Sequence, residues 1–178
     1  YSDSLEEVSD PLQYQISICS EFGVAGREIS SDVVKSHYQT IEFNHYYDDE
    51  TKKTDTCLYL GGWLQTCTSF RPHYHEWLVH YPASFLKEVK RVLFLGGGDN
   101  MILHEVLKYP TLELVVGMEL DQQVVRSSFK NMGIQPHFDL DSVQWWFGDA
   151  SKSLQMLPEH YYGTFDLVIV DLQTYVIE

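Results

Sequence analysis

Four acids of this 178-residue chain, Asp99, Glu119, Asp149 and Asp171, each close an apolar run that reads as a buried strand. Asp99 directly follows Gly96, Gly97 and Gly98, which come straight after the run at 91–95. Glycines in that place let the backbone approach a ligand closely, at the carboxyl rim where open α/β sheets bind. Glu119 lies 21 residues beyond Gly98, where a carboxylate can accept both hydroxyls of a ribose. Gly148 and Asp149 end a third run, where a polar group can meet an adenine edge, and Asp171 ends a fourth. Each feature has a plainer use by itself: glycines make tight turns, acids such as Glu119 and Asp149 cap helices, and Asp171 can be a loop residue. Their occurrence on four successive strand ends favours a nucleoside site over an inert scaffold.

The charge of these groups narrows the ligand. No Gly-x-Gly-x-x-Gly is present, because position 101 is Met. Asp99 stands where a pyrophosphate would need a helix N-terminus free of negative charge. Four carboxylates suit a cation, and S-adenosyl compounds carry a sulfonium and an amine. The chain as a whole has 26 acidic and 12 basic residues, a formal charge of −14. That balance repels phosphate backbones, so no nucleic-acid partner is expected, and most of it reads as solvated surface.

The elements that position these residues follow from periodicity. Residues 1–30 are acidic and mixed, broken by Pro11, Gly23 and Gly26. Alternation at Tyr14, Ile16 and Ile18, and again over 40–43, predicts short strands of a half-solvated antiparallel sheet. Residues 48–53 read as a hairpin loop, 56–60 as the returning strand stopped by Gly61 and Gly62, and 63–67 as another strand. From 74 to 86, Trp77, Leu78, Tyr81, Phe85 and Leu86 mark one helical face, interrupted near Pro82. Continuous apolar runs over 91–95, 112–118, 143–147 and 165–171 then alternate with helical spacing over 101–108 and 122–131, and a short helix around Leu154. Strands apolar on both faces, alternating with helices, predict a doubly wound parallel α/β sheet. The expected organisation is a β-rich segment with a connecting helix over 1–87 and a nucleoside-binding domain over 88–178. The last strand ends seven residues before the sequence does, so that domain reads as incomplete.

Cys19, Cys57 and Cys67 form no C-x-x-C pair. An odd, low count predicts reduced thiols rather than a disulfide framework. Nothing near His73 and His75 completes a ligand set, so no metal is expected. No apolar run approaches the ~18–20 residues that span a bilayer. The chain begins at Tyr1 with no apolar signal core; a cytoplasmic location is the expectation, with an earlier-removed organellar leader as the alternative.

An ordered set of motifs is more specific than any of these features. Lys35-Ser36-His37-Tyr38-Gln39, Leu60-Gly61-Gly62-Trp63-Leu64-Gln65, Tyr74-His75-Glu76 with His80 and Pro82, Gly96-Gly97-Gly98-Asp99, Glu105-Val106, Met118-Glu119-Leu120-Asp121 and Gly148-Asp149-Ala150 occur in that order. Together they resemble the spermidine synthase (polyamine aminopropyltransferase) family over about residues 33–171. The resemblance implies an N-terminal β domain joined to a methyltransferase-like Rossmann domain, in a homodimer or as a subunit of a larger complex. It implies transfer of an aminopropyl group from decarboxylated S-adenosylmethionine to a polyamine acceptor. Gln39, His75, Asp99, Glu119 and Asp149, with Gly96, Gly97, Gly98 and Ala150 around them, would hold the donor. Asp99 would take its ammonium and Glu119 its ribose. Tyr74 would face the acceptor, and Asp171 would orient the acceptor amine and help it shed a proton.

The chain departs from the family pattern at Gly61, where Asp is usual, at Phe70-Arg71, where an acidic pair is usual, and at Asn100, where Gly is usual. After strand four, Asp171-Leu172-Gln173-Thr174-Tyr175 has Thr174 in place of a second acid, which weakens recognition of a dication by a few kcal/mol. Two other readings follow. One is a catalytically inactive relative serving as a structural or assembly subunit. The other is an S-adenosylmethionine-dependent methyltransferase, disfavoured because the donor's extra carboxylate would lie near Asp99.

Overall fold

A computed structural model describes residues 26–172. The expected strands at Tyr14–Ile18 and the departure at Thr174 lie outside the described residues. Eight strands form two sheets. β1 (Arg27–Lys35), β2 (Thr40–Asp48), β3 (Lys53–Leu60) and β4 (Trp63–Cys67) make an antiparallel meander in sequence order. β5 (Arg91–Gly96), β6 (Leu114–Glu119), β7 (Val143–Phe147) and β8 (Leu167–Asp171) make a parallel sheet ordered β7-β6-β5-β8. The direction of winding reverses beside β5, which is where open α/β sheets leave a crevice.

β1 was not legible as a strand. Its side chains are mostly exposed, and so the sequence lacks the alternation that burial imposes. β3 and β4 meet across Gly61 and Gly62, and the register shifts between Leu58 and Tyr59. Without that shift Cys57 would stand opposite Thr66; with it, Cys57 stands opposite Cys67, and the two form a disulfide. The expectation of reduced thiols at these two positions is therefore corrected. A cysteine count carries no information about a bulge, and the bulge decides which side chains meet.

The helices are α1 (Trp77–Ala83), α2 (Met101–Val106), α3 (Gln122–Met132) and α4 (Ala150–Gln155). On one side of the parallel sheet, Val79 and Ala83 of α1 and Ile102, Leu103 and Val106 of α2 pack with Val92, Phe94, Val115 and Ile169. On the other, Leu93, Leu95, Val116 and Met118 pack with Leu157 and Tyr161. Of the expected apolar face of the first helix, Leu78 and Leu86 pack against the first of these two clusters, whereas Trp77, Tyr81 and Phe85 are 61%, 50% and 75% exposed and lie against one another. Small Val79 and Ala83 fit the sheet instead, and Pro82 sits in the helix's last turn.

α3 joins the two sheets. Its Val124 packs with Ile41, Phe43 and Leu58 of the antiparallel sheet, and its Lys130 reaches Asp32 of β1 at 2.8 Å. The Asp121 side chain caps the helix by accepting from the Gln123 amide, and Gly133 ends it with φ +74°.

Gly96 is fixed by a close approach. Its φ is +84°, and a Cβ there would lie 1.9 Å from the Asp171 carbonyl oxygen. Gly133 has a similar φ but open space around it. Gly133→Ala should therefore cost about 1–2 kcal/mol, the left-handed penalty alone. Gly96→Ala adds a backbone clash and should cost more than about 3 kcal/mol. Urea denaturation of the two variants measures the difference.

Candidate active site

The strand register assembles the site. Gly96 pairs with Asp171, Leu95 with Met118, and Glu119 with Phe147, so the ends of β8, β5, β6 and β7 form one rim. After β5 the chain turns through Gly97 and Gly98 to Asp99. A Cβ on Gly98 would lie 2.9 Å from Glu119 Oε2 and from Val124 Cγ1, so the loop lies flat on Glu119 and α3.

Asp99 is 7% exposed. Its Oδ1 accepts from the Met101 amide at 2.8 Å, and its Oδ2 lies 2.9 Å from Nε2 of His75, which is itself buried. Glu119 is 9% exposed and its Oε1 accepts from the Asp121 amide at 3.0 Å. Burial pushes the Glu119 carboxyl up to about 7, with the charges of Asp121 and Asp99 acting in the same direction. Asp171 accepts from the Tyr74 hydroxyl at 2.5 Å. Burial raises the Asp171 carboxyl; the Tyr74 bond opposes the rise, and the Asp99 charge adds to it. Tyr74 is raised by burial and by the Asp171 charge beside it. The Tyr74–Asp171 and His75–Asp99 pairs are joined through the Tyr74 and His75 rings, which meet edge to face at 4.8 Å, and Glu119 acts on this group through the Asp99 charge.

Tyr74 and His75 come from a wide helical turn, Pro72–Glu76, between β4 and α1. Two anchors hold that segment. At its start, the Asp55 carboxylate accepts from the Thr68 hydroxyl, the Ser69 amide, the Ser69 hydroxyl and the Thr56 amide. At its end, the fully buried Glu105 of α2 receives His80 Nε2 at 3.0 Å and Lys108 Nζ at 2.5 Å, with Arg71 Nε at 3.7 Å. His80 and Glu105 stood in the motif set, but nothing in the spacing says that they pair. Arg71, one of the departures, is spent on this anchor.

Other expected residues are placed differently. Asp149 is exposed and caps α4, accepting from the Ser151 and Lys152 amides, which is its plainer use; Ala150 starts that helix. Gln39 closes the β1–β2 turn, where its backbone N–H donates to the Ser36 hydroxyl at 3.0 Å. A surface pocket of about 370 Å³ lies beside both, lined by residues 35–38 of that turn, Leu120 to Gln123, Phe147 and Gly148. Neither Gln39 nor Asp149 is among its lining residues. Asp55, Cys57 and Cys67 place ligand-type atoms within 4.8 Å of one another, but the two sulfurs are bonded to each other and Asp55 already accepts four hydrogen bonds.

Residues 71–176 match the spermine/spermidine synthase domain model. The chain belongs to the spermine/spermidine synthase family. It is 35% identical over 136 residues to a polyamine aminopropyltransferase of Desulforudis audaxviator, covering 76% of this chain and 48% of that protein. Spermidine synthase of Dictyostelium discoideum is 31% identical over 150 residues, covering 82% of this chain and 51% of its own length. Among solved structures, a spermidine synthase in complex with the transition-state analogue AdoDATO superposes with a TM-score of 0.67 at 26% identity, over 83% of this chain and 47% of that one. Spermidine synthase from Thermotoga maritima gives 0.65 at 26% identity, over 81% and 48%. The chain spans about half the length of these relatives. The fold is the methyltransferase-like α/β fold of the family. Among the described residues, no helix is long and apolar enough to cross a membrane.

The raised Glu119 carboxyl has a stability consequence. In the unfolded chain it ionises near its ordinary 4.5, and in the folded protein at about 7. As pH rises through that window the unfolded state gives up its proton first, so stability falls and the cost is complete above pH ~7. Glu119→Gln should be more stable than the parent by about 2–3 kcal/mol at pH 8, with the difference gone at pH ~4. Thermal unfolding of both proteins across that range reads it directly.

Proposed function

We propose that this chain carries the donor-binding face of an aminopropyltransferase that uses decarboxylated S-adenosylmethionine and a polyamine acceptor. The observation that supports it best is the connected group Tyr74, His75, Asp99 and Asp171, which gathers carboxylates at a crevice and leaves Asp99 nearly buried. Buried carboxylates at the rim favour a cationic ligand and disfavour one bearing its own carboxylate. That separates the decarboxylated donor from S-adenosylmethionine and lowers the methyltransferase reading. Asp99 takes the donor's ammonium, Glu119 its ribose hydroxyls, and the flat Gly96–Gly98 loop lets the nucleoside lie close to backbone.

In the transfer, the acceptor nitrogen attacks the aminopropyl carbon next to sulfur. The carbon–sulfur bond breaks, its electron pair stays on sulfur, and methylthioadenosine leaves. The acceptor must first lose a proton, because an ammonium has no lone pair. Asp171 receives it. Burial raises that carboxyl from its ordinary value, which makes it a stronger base, and Tyr74 fixes its orientation. Displacement beside a sulfonium then depends chiefly on alignment.

Titration calorimetry of the full-length protein tests the reading. Decarboxylated S-adenosylmethionine should bind in the micromolar range and more tightly than S-adenosylmethionine, and Asp99→Ala should weaken it at least ~10-fold. Asp171→Asn should keep donor binding and lower transfer by about 10²–10⁴-fold. Absence of heat with either ligand would overturn the proposal and leave a scaffold role.

A further inference from the structure

Asn100 is fully buried, adopts φ +68°, and stands between Asp99 and the first turn of α2. The left-handed region is one that Asn tolerates better than other non-glycine residues. Here the side chain has a further use. Its amide group donates to the Val125 carbonyl at 3.0 Å and to the Ile134 carbonyl at 3.1 Å. One bond reaches the first half of α3 and the other the segment just past its end. Its own backbone amide donates to the Gly97 carbonyl at 3.1 Å, and its carbonyl accepts from His104 at 3.0 Å. Asn100 therefore ties the glycine loop to α3 along two directions. The adjoining residue is Asp99, whose two oxygens are committed to Met101 and His75.

We infer that Asn100 is a positioning residue: its side chain locks the loop so that Asp99 is held against His75, ready for the ammonium of the donor's aminopropyl arm. It touches no ligand itself. A glycine at this position would keep the backbone conformation and lose both tethers, freeing Asp99 to turn about the loop. The ribose contact comes from Glu119, whose carboxylate is held by the Asp121 amide and not by the Asn100 side chain. The tether therefore discriminates between decarboxylated S-adenosylmethionine and methylthioadenosine, which lacks the aminopropyl arm and, with it, the sulfonium charge.

The ligand part of this inference rests on the aminopropyl reading above, so the test has two arms. In the first, Asn100→Gly should raise the Kd for decarboxylated S-adenosylmethionine about tenfold and leave that for methylthioadenosine within about twofold. Equal losses for both ligands, or none, would overturn it. The second arm needs no ligand. Hydrogen exchange of the Met101 amide, which Asp99 holds, should speed at least about tenfold in Asn100→Gly, while the Val116 amide in the sheet centre changes much less. Unchanged Met101 exchange would sink the tether. Should Asn100→Gly not fold, Asn100→Asp serves, since it keeps the size and backbone preference while replacing the donating group with an oxygen facing two carbonyls. If the parent protein binds neither ligand, the functional reading fails, and the exchange arm still decides the tether.

Discussion

Asp99, Glu119 and Asp171 repel one another across the carboxyl rim of the parallel sheet, in surroundings that hydrate them poorly. Much of the surrounding architecture serves to make that crowding tolerable. Asp99 is offered a backbone amide and an imidazole, Glu119 a backbone amide, and Asp171 a phenol. None of the side-chain partners belongs to the parallel sheet. Tyr74 and His75 arrive on a turn that begins at the end of the antiparallel sheet, so the charges of one sheet are balanced by the exit of the other.

This division of labour explains why α3 matters. It presents Val124 to the antiparallel core, holds Asn100 through the Val125 carbonyl, and is capped by Asp121, whose amide serves Glu119. A rigid helix that touches both sheets and the glycine loop keeps the carboxylates and their partners in step. The Glu105 anchor does the same on the opposite side, where His80, Lys108 and Arg71 converge on one buried carboxylate and fix α1 and the Tyr74 turn upon α2. Removing one partner from such a buried charge is costly, which makes it a firm fastening.

How much of this could be read from residues alone depended on whether burial leaves a mark in local spacing. β5 and β6 are buried almost throughout, β7 is half-buried and β8 alternates between buried and exposed side chains, yet all four are apolar in sequence, and their ends at Gly96, Glu119, Phe147 and Asp171 were legible because apolar residues stop there. β1, whose side chains are mostly exposed, leaves no such mark. The disulfide was hidden because one extra residue in β4 sets which cysteine faces which. Trp77, Tyr81 and Phe85 have helical spacing, and spacing does not say which side of a helix is covered. Asp149 shows the opposite limit: two uses fitted the same position, and the geometry shows that its carboxylate caps α4.

Glu119 also makes the rim a proton store. The Glu119 carboxyl ionises at about 7, far above its ordinary value. Any ligand whose hydroxyls donate to it favours the carboxylate, so seating the ligand releases protons to the solvent near neutral pH. The heat of association would then vary with the ionisation enthalpy of the buffer, and affinity would tighten as the medium becomes more alkaline. A polar contact that looks purely geometric thus couples occupancy of the crevice to the acidity of its surroundings.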